Sequence, residues 1–141
     1  MAGLLTRPGP DPVASELALW AATDFRWGET DCCQSILIYI ERCSGRRLEP
    51  WPRASNAFRA QLIIERAGCL VALCQARFGE LGCPKTDAPA RGDFGVIDLP
   101  GSGHTLCLCL GHRRWAARCD TGVVIFCGVA LASWRLPCPR H

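Results

Sequence analysis

Residues Phe25 to Ile36 read "FRWGETDCCQSI", and the reading of the Cys32-Cys33 pair decides what surrounds it. Gly28 permits a turn, and Thr30 or Asp31 is placed to cap a helix that begins at the cysteines. A cysteine in the first turn of a helix meets free peptide N–H groups and the positive end of the helix dipole. Both favour thiolate over thiol, and the same N–H groups can hold an oxyanion during acyl transfer. The carboxylate of Asp31 opposes this, because a neighbouring negative charge raises a thiol pKa. The alternative is packing: Cys32/Cys33, Ile36/Leu37, Ile40 and Cys43 form an apolar helical set that stops at Gly45. Cys33, one step around the helix beside Leu37, reads as core.

Outward from this stretch the first half of the chain is helical. Asp11 offers an N-cap with Pro12 at the first helical position, and Leu17, Trp20 and Ala21 carry that helix to about Asp24. After "GRRLEPWPRA", Ser55 is the predicted cap of a third helix ending before Gly68, and "CLVALCQARFG" predicts a short fourth one. From Gly79 the character changes. A loop carrying Pro84 and Pro89 leads into β-type runs at Phe94–Leu99, Thr105–Leu110, Arg114–Arg118, Val123–Phe126 and Trp134–Leu136. Helices followed by antiparallel strands make an α+β domain, here expected as an arm at residues 1–12 and one domain over 13–141.

At 141 residues the chain is long enough for one domain with its own core. Fifteen arginines and the single Lys85 are scattered, and a net charge of +3 forms no nucleic-acid stripe. Eleven cysteines contain no C-x-x-C, and the three histidines do not fall at zinc-finger distances, so a structural zinc is not expected; acyl transfer by a cysteine, where it operates, implies no metal or organic cofactor either. The start "MAGLLTRPGPDP" lacks an apolar leader core, and no apolar run is long enough for a bilayer, which predicts a chain made and kept in a reducing cytoplasm without membrane insertion. There Cys69, Cys107, Cys109 and Cys127, each beside apolar runs, read as small hydrophobic filler. Trp51, Trp115 and Trp134 read as core or sheet-edge packing. Trp27 anchors the turn before the cysteines or walls a site beside them.

A thiolate needs a partner base, and His104, His112 and His141 are the candidates. His104 is best placed, at the start of a strand after "GSG". His112 reads as a turn residue and His141 is the terminus.

"FRWGETDCC", "RGDFGVIDL", "HTLCLCLG" and "ASWRL" together resemble a small NlpC-like family from phage and prophage tail-gene clusters, itself similar to the NlpC-type cell-wall cysteine peptidases. The resemblance spans roughly residues 13–136, with "WGxxDC" its most specific element. It implies a papain-like fold with helices followed by a small antiparallel sheet or half-barrel. It also implies Cys32 as nucleophile, Gly92-Asp93 opening the sheet, and the catalytic histidine at or beside His104. The activity implied is cleavage of bacterial peptidoglycan during tail penetration. The partners implied are other tail-tip or baseplate proteins, and the implied place is the host cytoplasm during synthesis and the particle tail thereafter.

Two departures from that pattern set expectations. Thr105, not His104, stands at the family's distance from the closing glycine, Gly111. A one-residue offset turns an imidazole to the opposite face unless a bulge restores it, for which "GSG" leaves room. The polar residue that orients the histidine from the next strand is replaced in "RRWAARCD" by Ala116 or Ala117, with Arg118 and Asp120 the nearby substitutes. A catalytically degenerate assembly component of the tail tip is therefore the alternative function, and acyl transfer by the same dyad is a third.

Overall fold

The computed structural model describes residues 11–137. Four helices, α1 (Pro12–Ala22), α2 (Cys32–Ser44), α3 (Ala57–Ala67) and α4 (Leu70–Glu80), precede five strands. These are β1 (Phe94–Leu99), β2 (Gly103–Gly111), β3 (Arg114–Cys119), β4 (Gly122–Cys127) and β5 (Ala132–Trp134), forming one antiparallel sheet in the order β4-β3-β2-β1-β5. Of the arm expected at residues 1–12, residues 1–10 lie outside the described residues, as do Cys138 and His141, and Asp11 and Pro12 already open α1.

Local chemistry explains the helix ends. The Asp11 carboxylate accepts from Val13 N, with Pro12 needing no amide partner at the first helical position. Gly45 closes α2 with φ +70°, a left-handed value that a side chain would strain. Asn56, not Ser55, caps α3 by accepting from Arg59 N, since it lies one residue closer to the first helical turn. Helix α1 stops at Ala22 rather than Asp24, because Thr23 is extended and its hydroxyl turns back to Leu19 O.

Alternation along the strands divides the apolar residues between two faces. On one face Phe94, Val96, Leu106, Leu108, Ala116, Ala132 and Trp134 pack with Ile36, Tyr39, Ile40, Cys74 and Phe78 of the helices. Helix α2 lies against β2 and β3, α1 against β4, and α4 against β2. On the other face Ile97, Leu99, Cys107, Cys109, Trp115 and Ala117 form a second cluster with Phe126 and Ala130. Both edge strands are joined by the short link 128–131. Five residue steps reach about 17 Å, less than the roughly 19 Å across five flat strands, so the sheet must curl around this second cluster. The link seals it: Trp115 Nε1 donates to Gly128 O at 3.1 Å, and Leu131 N donates to Val96 O at 2.8 Å.

The last strand is Ala132–Trp134, not Trp134–Leu136. Its Ser133 hydroxyl donates to Thr86 O, and Arg135 N leaves the ladder to donate to Pro84 O. Cys69 and Cys127 are exposed, correcting their reading as filler. Cys69 instead caps α4, its sulfur accepting from Ala72 N. Cys107 and Cys109 are buried as expected, and so are Trp51, Trp115 and Trp134.

Candidate functional site

The loop before α2 is tied down by short-range hydrogen bonds. Asp31 accepts from Gly28 N through one carboxylate oxygen (2.8 Å) and from Gln34 N through the other (3.0 Å). Gly28 has φ +79°, and a Cβ there would stand 3.1 Å from Ala54 O, so glycine is required on both counts. Gln34 and Trp51 then lock α2 to the following loop. Gln34 Nε2 donates to Trp51 O, Trp51 N donates to Gln34 Oε1, and the Trp51 indole donates to Cys33 O at 2.8 Å. "WGETDCCQ" thus reads as a folded scaffold holding Cys32 at the first position of α2.

Cys32 is half-buried. A hydrogen bond from the Cys33 thiol lowers its pKa; burial and the Asp31 charge raise it; the N–H groups of Cys33 and Leu106 lower it further. The net direction is below an ordinary thiol. Cys33 moves the opposite way, well above the usual range, because its proton is the one shared with Cys32 and because it is buried. Burial also pushes the Cys83 thiol up to about 11, and raises Cys74 and Cys107 far beyond that. Cys32 thus moves down while Cys33, Cys74, Cys83 and Cys107 move up.

His104 lies on β2, exposed, on the same strand face as Leu106 and Leu108 and hence the face against which α2 packs. The β2–β3 register shifts between Cys109 and Gly111, placing an extra residue on β2 just before Gly111. The β1–β2 pairing through His104 is regular. Cys32 and His104 line one cleft of about 250 Å³, together with Trp27, Trp51, Ile63, Ile64, Leu70, Leu73 and Thr105. No hydrogen bond joins imidazole to sulfur among the described residues.

Gly92 and Asp93 immediately precede β1. Tyr39 donates to Gly92 O, the Asp93 carboxylate accepts from Ala90 N, and Arg135 lies 3.7 Å away. Trp27 is 37% exposed, packs edge-on against Phe25 at 5.0 Å and walls the cleft. His112 sits in the β2–β3 turn with φ 50°. Ala116 and Ala117 are fully buried. Arg118 is engaged elsewhere, donating to Thr23 O at 2.7 Å, to Thr23 Oγ1 and to Asp24 O beyond the end of α1.

One acidic neighbour was missed in the sequence. Asp98 on β1 stands directly opposite His104 and on the same face. The signal was present in the hairpin itself: once Leu99 pairs with Gly103 across "PGS", Asp98 must pair with His104.

The fold and its cleft define an α+β protein with a helix-mounted cysteine facing a strand histidine. Residues 10–136 match the family described as Domain of unknown function (DUF6950), and the chain belongs to that family. A comparison with curated proteins finds no match. Among the described residues no helix is long and apolar enough to cross a membrane, and no three His, Cys, Asp or Glu side chains are grouped to hold a metal ion.

Proposed function

We propose that the protein is a cysteine peptidase or amidase of NlpC-like, papain-like type, with Cys32 as nucleophile and His104 as base. The observation that carries this reading is the shared cleft, with an acidified Cys32 thiol at a capped helix start and His104 on the facing strand. The Cys32 sulfur attacks an amide carbonyl carbon, forming a C–S bond, and the oxyanion is held by N–H groups of the first helical turn. As the C–N bond breaks, the departing amine takes a proton from the His104 imidazolium. Water, deprotonated by His104, then cleaves the thioester to a carboxylic acid and restores the thiol. Asp98, opposite His104 on β1, is the group placed to orient the imidazole, in the role the family pattern gives to the next strand.

Resemblance to the tail-gene family supports bacterial peptidoglycan as the target, a phage or phage-like tail as the setting, and tail-tip or baseplate proteins as partners. The second reading, a degenerate structural component of a tail tip, is favoured by the missing imidazole–sulfur hydrogen bond and the alanines on β3.

The deciding experiment is digestion of purified peptidoglycan by the native protein, Cys32→Ser and His104→Ala, scored by new amino groups. Alongside it, alkylation of Cys32 is followed against pH by mass spectrometry. Digestion by the native protein alone, with Cys32 alkylated well below the ordinary thiol midpoint of about 8.5, is expected. An ordinary Cys32 titration without digestion overturns the enzyme in favour of the structural component.

A further inference from the structure

The cleft beside Cys32 has a composition that the cell-wall reading does not by itself require. Its walls are mostly apolar, the indoles of Trp27 and Trp51 and the aliphatic side chains of Ile63, Ile64, Leu70 and Leu73, with Gln61, Ser102, His104 and Thr105 adding polar groups. Neither Arg nor Lys lines it among the described residues, and its one carboxylate, Asp31, is fixed there by its bonds to Gly28 N and Gln34 N. The Gln34 amide is likewise engaged on the Trp51 backbone, so it offers an incoming group little. At about 250 Å³ the space equals roughly eight waters at ~30 Å³ each, enough for one large apolar side chain.

We propose that this cleft is a specificity pocket for an uncharged, apolar residue on the acyl side of the cleaved bond, of leucine or phenylalanine size. The proposal rests on the assignment of Cys32 as nucleophile, because the thiol at the pocket fixes where the carbonyl must lie. A carboxylate entering the apolar part of this space loses its water and meets Asp31, and His104 is the one lining side chain that can turn cationic, so an anionic acyl residue is disfavoured against an apolar one. In cell-wall peptides this restricts cleavage to bonds whose acyl residue is neutral. The pocket also has a yielding wall. Helix α3 fully buries none of its residues and rests on α4, with Ile64 packed partly buried against the core, so this wall is less tightly held than the α2 side.

The test separates binding from chemistry. Full-length Cys32→Ser is titrated with N-acetyl methylamides of leucine, phenylalanine, alanine and glutamate, each as the D and L forms, while the methyl resonances of Ile63, Ile64 and Leu73 are observed. Leucine or phenylalanine probes are expected to bind at least tenfold tighter than glutamate, shifting those methyls, with alanine between. Ile64→Arg is expected to reverse the order, favouring glutamate; if that variant does not fold, Ala60→Arg places the cation on the same helix. Equal or tighter binding of glutamate to Cys32→Ser, or an unchanged order in a folded arginine variant, overturns the pocket assignment. So does an absence of cleft shifts with every probe. Because these titrations need no thiol, an unreactive Cys32 in the native protein removes the enzyme reading without deciding the pocket, which the binding order decides alone.

Discussion

Around Cys32 almost every polar group is engaged within a few residues, whereas His104 stands exposed on a hairpin and makes no side-chain hydrogen bond among the described residues. The two halves of the cleft are therefore held to different standards. The cysteine side is preorganised by a cap, a glycine turn and the Gln34–Trp51 lock. The histidine side is positioned by strand register alone. Preorganisation matters most where charge develops, and a helix start can hold an oxyanion only if it does not move. A base on a hairpin needs only to arrive within reach during turnover, and catalytic hydrogen bonds often tighten only when substrate is bound.

The most forceful way to break this contrast is to remove the lock. Trp51 is buried, stacks edge-on near Phe78 at 5.6 Å and donates to Cys33 O. Trp51→Ala is expected to cost about 3–5 kcal/mol in denaturant unfolding. It should also return Cys32 toward ordinary thiol behaviour, because the carbonyl that fixes the first turn of α2 loses its partner. A stable variant with unchanged Cys32 alkylation means that the helix start is held by Asp31 alone.

His104→Ala probes the other half. Because His104 is exposed, its removal should leave stability within about 0.5 kcal/mol while turnover falls by roughly 10²–10⁴-fold, the usual worth of a general base. Equal losses of stability and activity make the histidine a structural residue of the hairpin, and the asymmetry between the two halves disappears.

The same asymmetry governed what was legible in the sequence. The scaffold around Cys32 is local: Gly28, Asp31 and Gln34 lie within seven residues, so capping rules alone placed Cys32 at the start of α2. The strands from Phe94 to Phe126 were legible from period-two patterning and turn residues, with ends one or two residues off. What depends on pairing was not. The register shift at Cys109–Gly111, the curl that buries Trp115, and the Asp98–His104 juxtaposition are products of register, which a single strand does not carry. The exposure of Cys69 and Cys127 was missed for a related reason, since an apolar neighbour in sequence does not say which face a residue occupies.

Asp98 is where the contrast can be sharpened with the smallest expected effect. It sits directly opposite His104 and on the same face, where cross-strand neighbours have Cβ atoms about 4.5–5.5 Å apart. On the proposed mechanism, a carboxylate there would orient the ring and stabilise the imidazolium formed when Cys32 attacks. Asp98→Asn keeps size and hydrogen bonding but removes the charge, so turnover should fall less than tenfold, with Asp98→Glu restoring most of it. A role in hairpin stability alone predicts instead that asparagine and glutamate variants change the unfolding midpoint and leave turnover per folded molecule untouched. Combining Asp98→Asn with His104→Ala separates the two: if Asp98 acts through the imidazole, it has no further effect on turnover once that imidazole is gone.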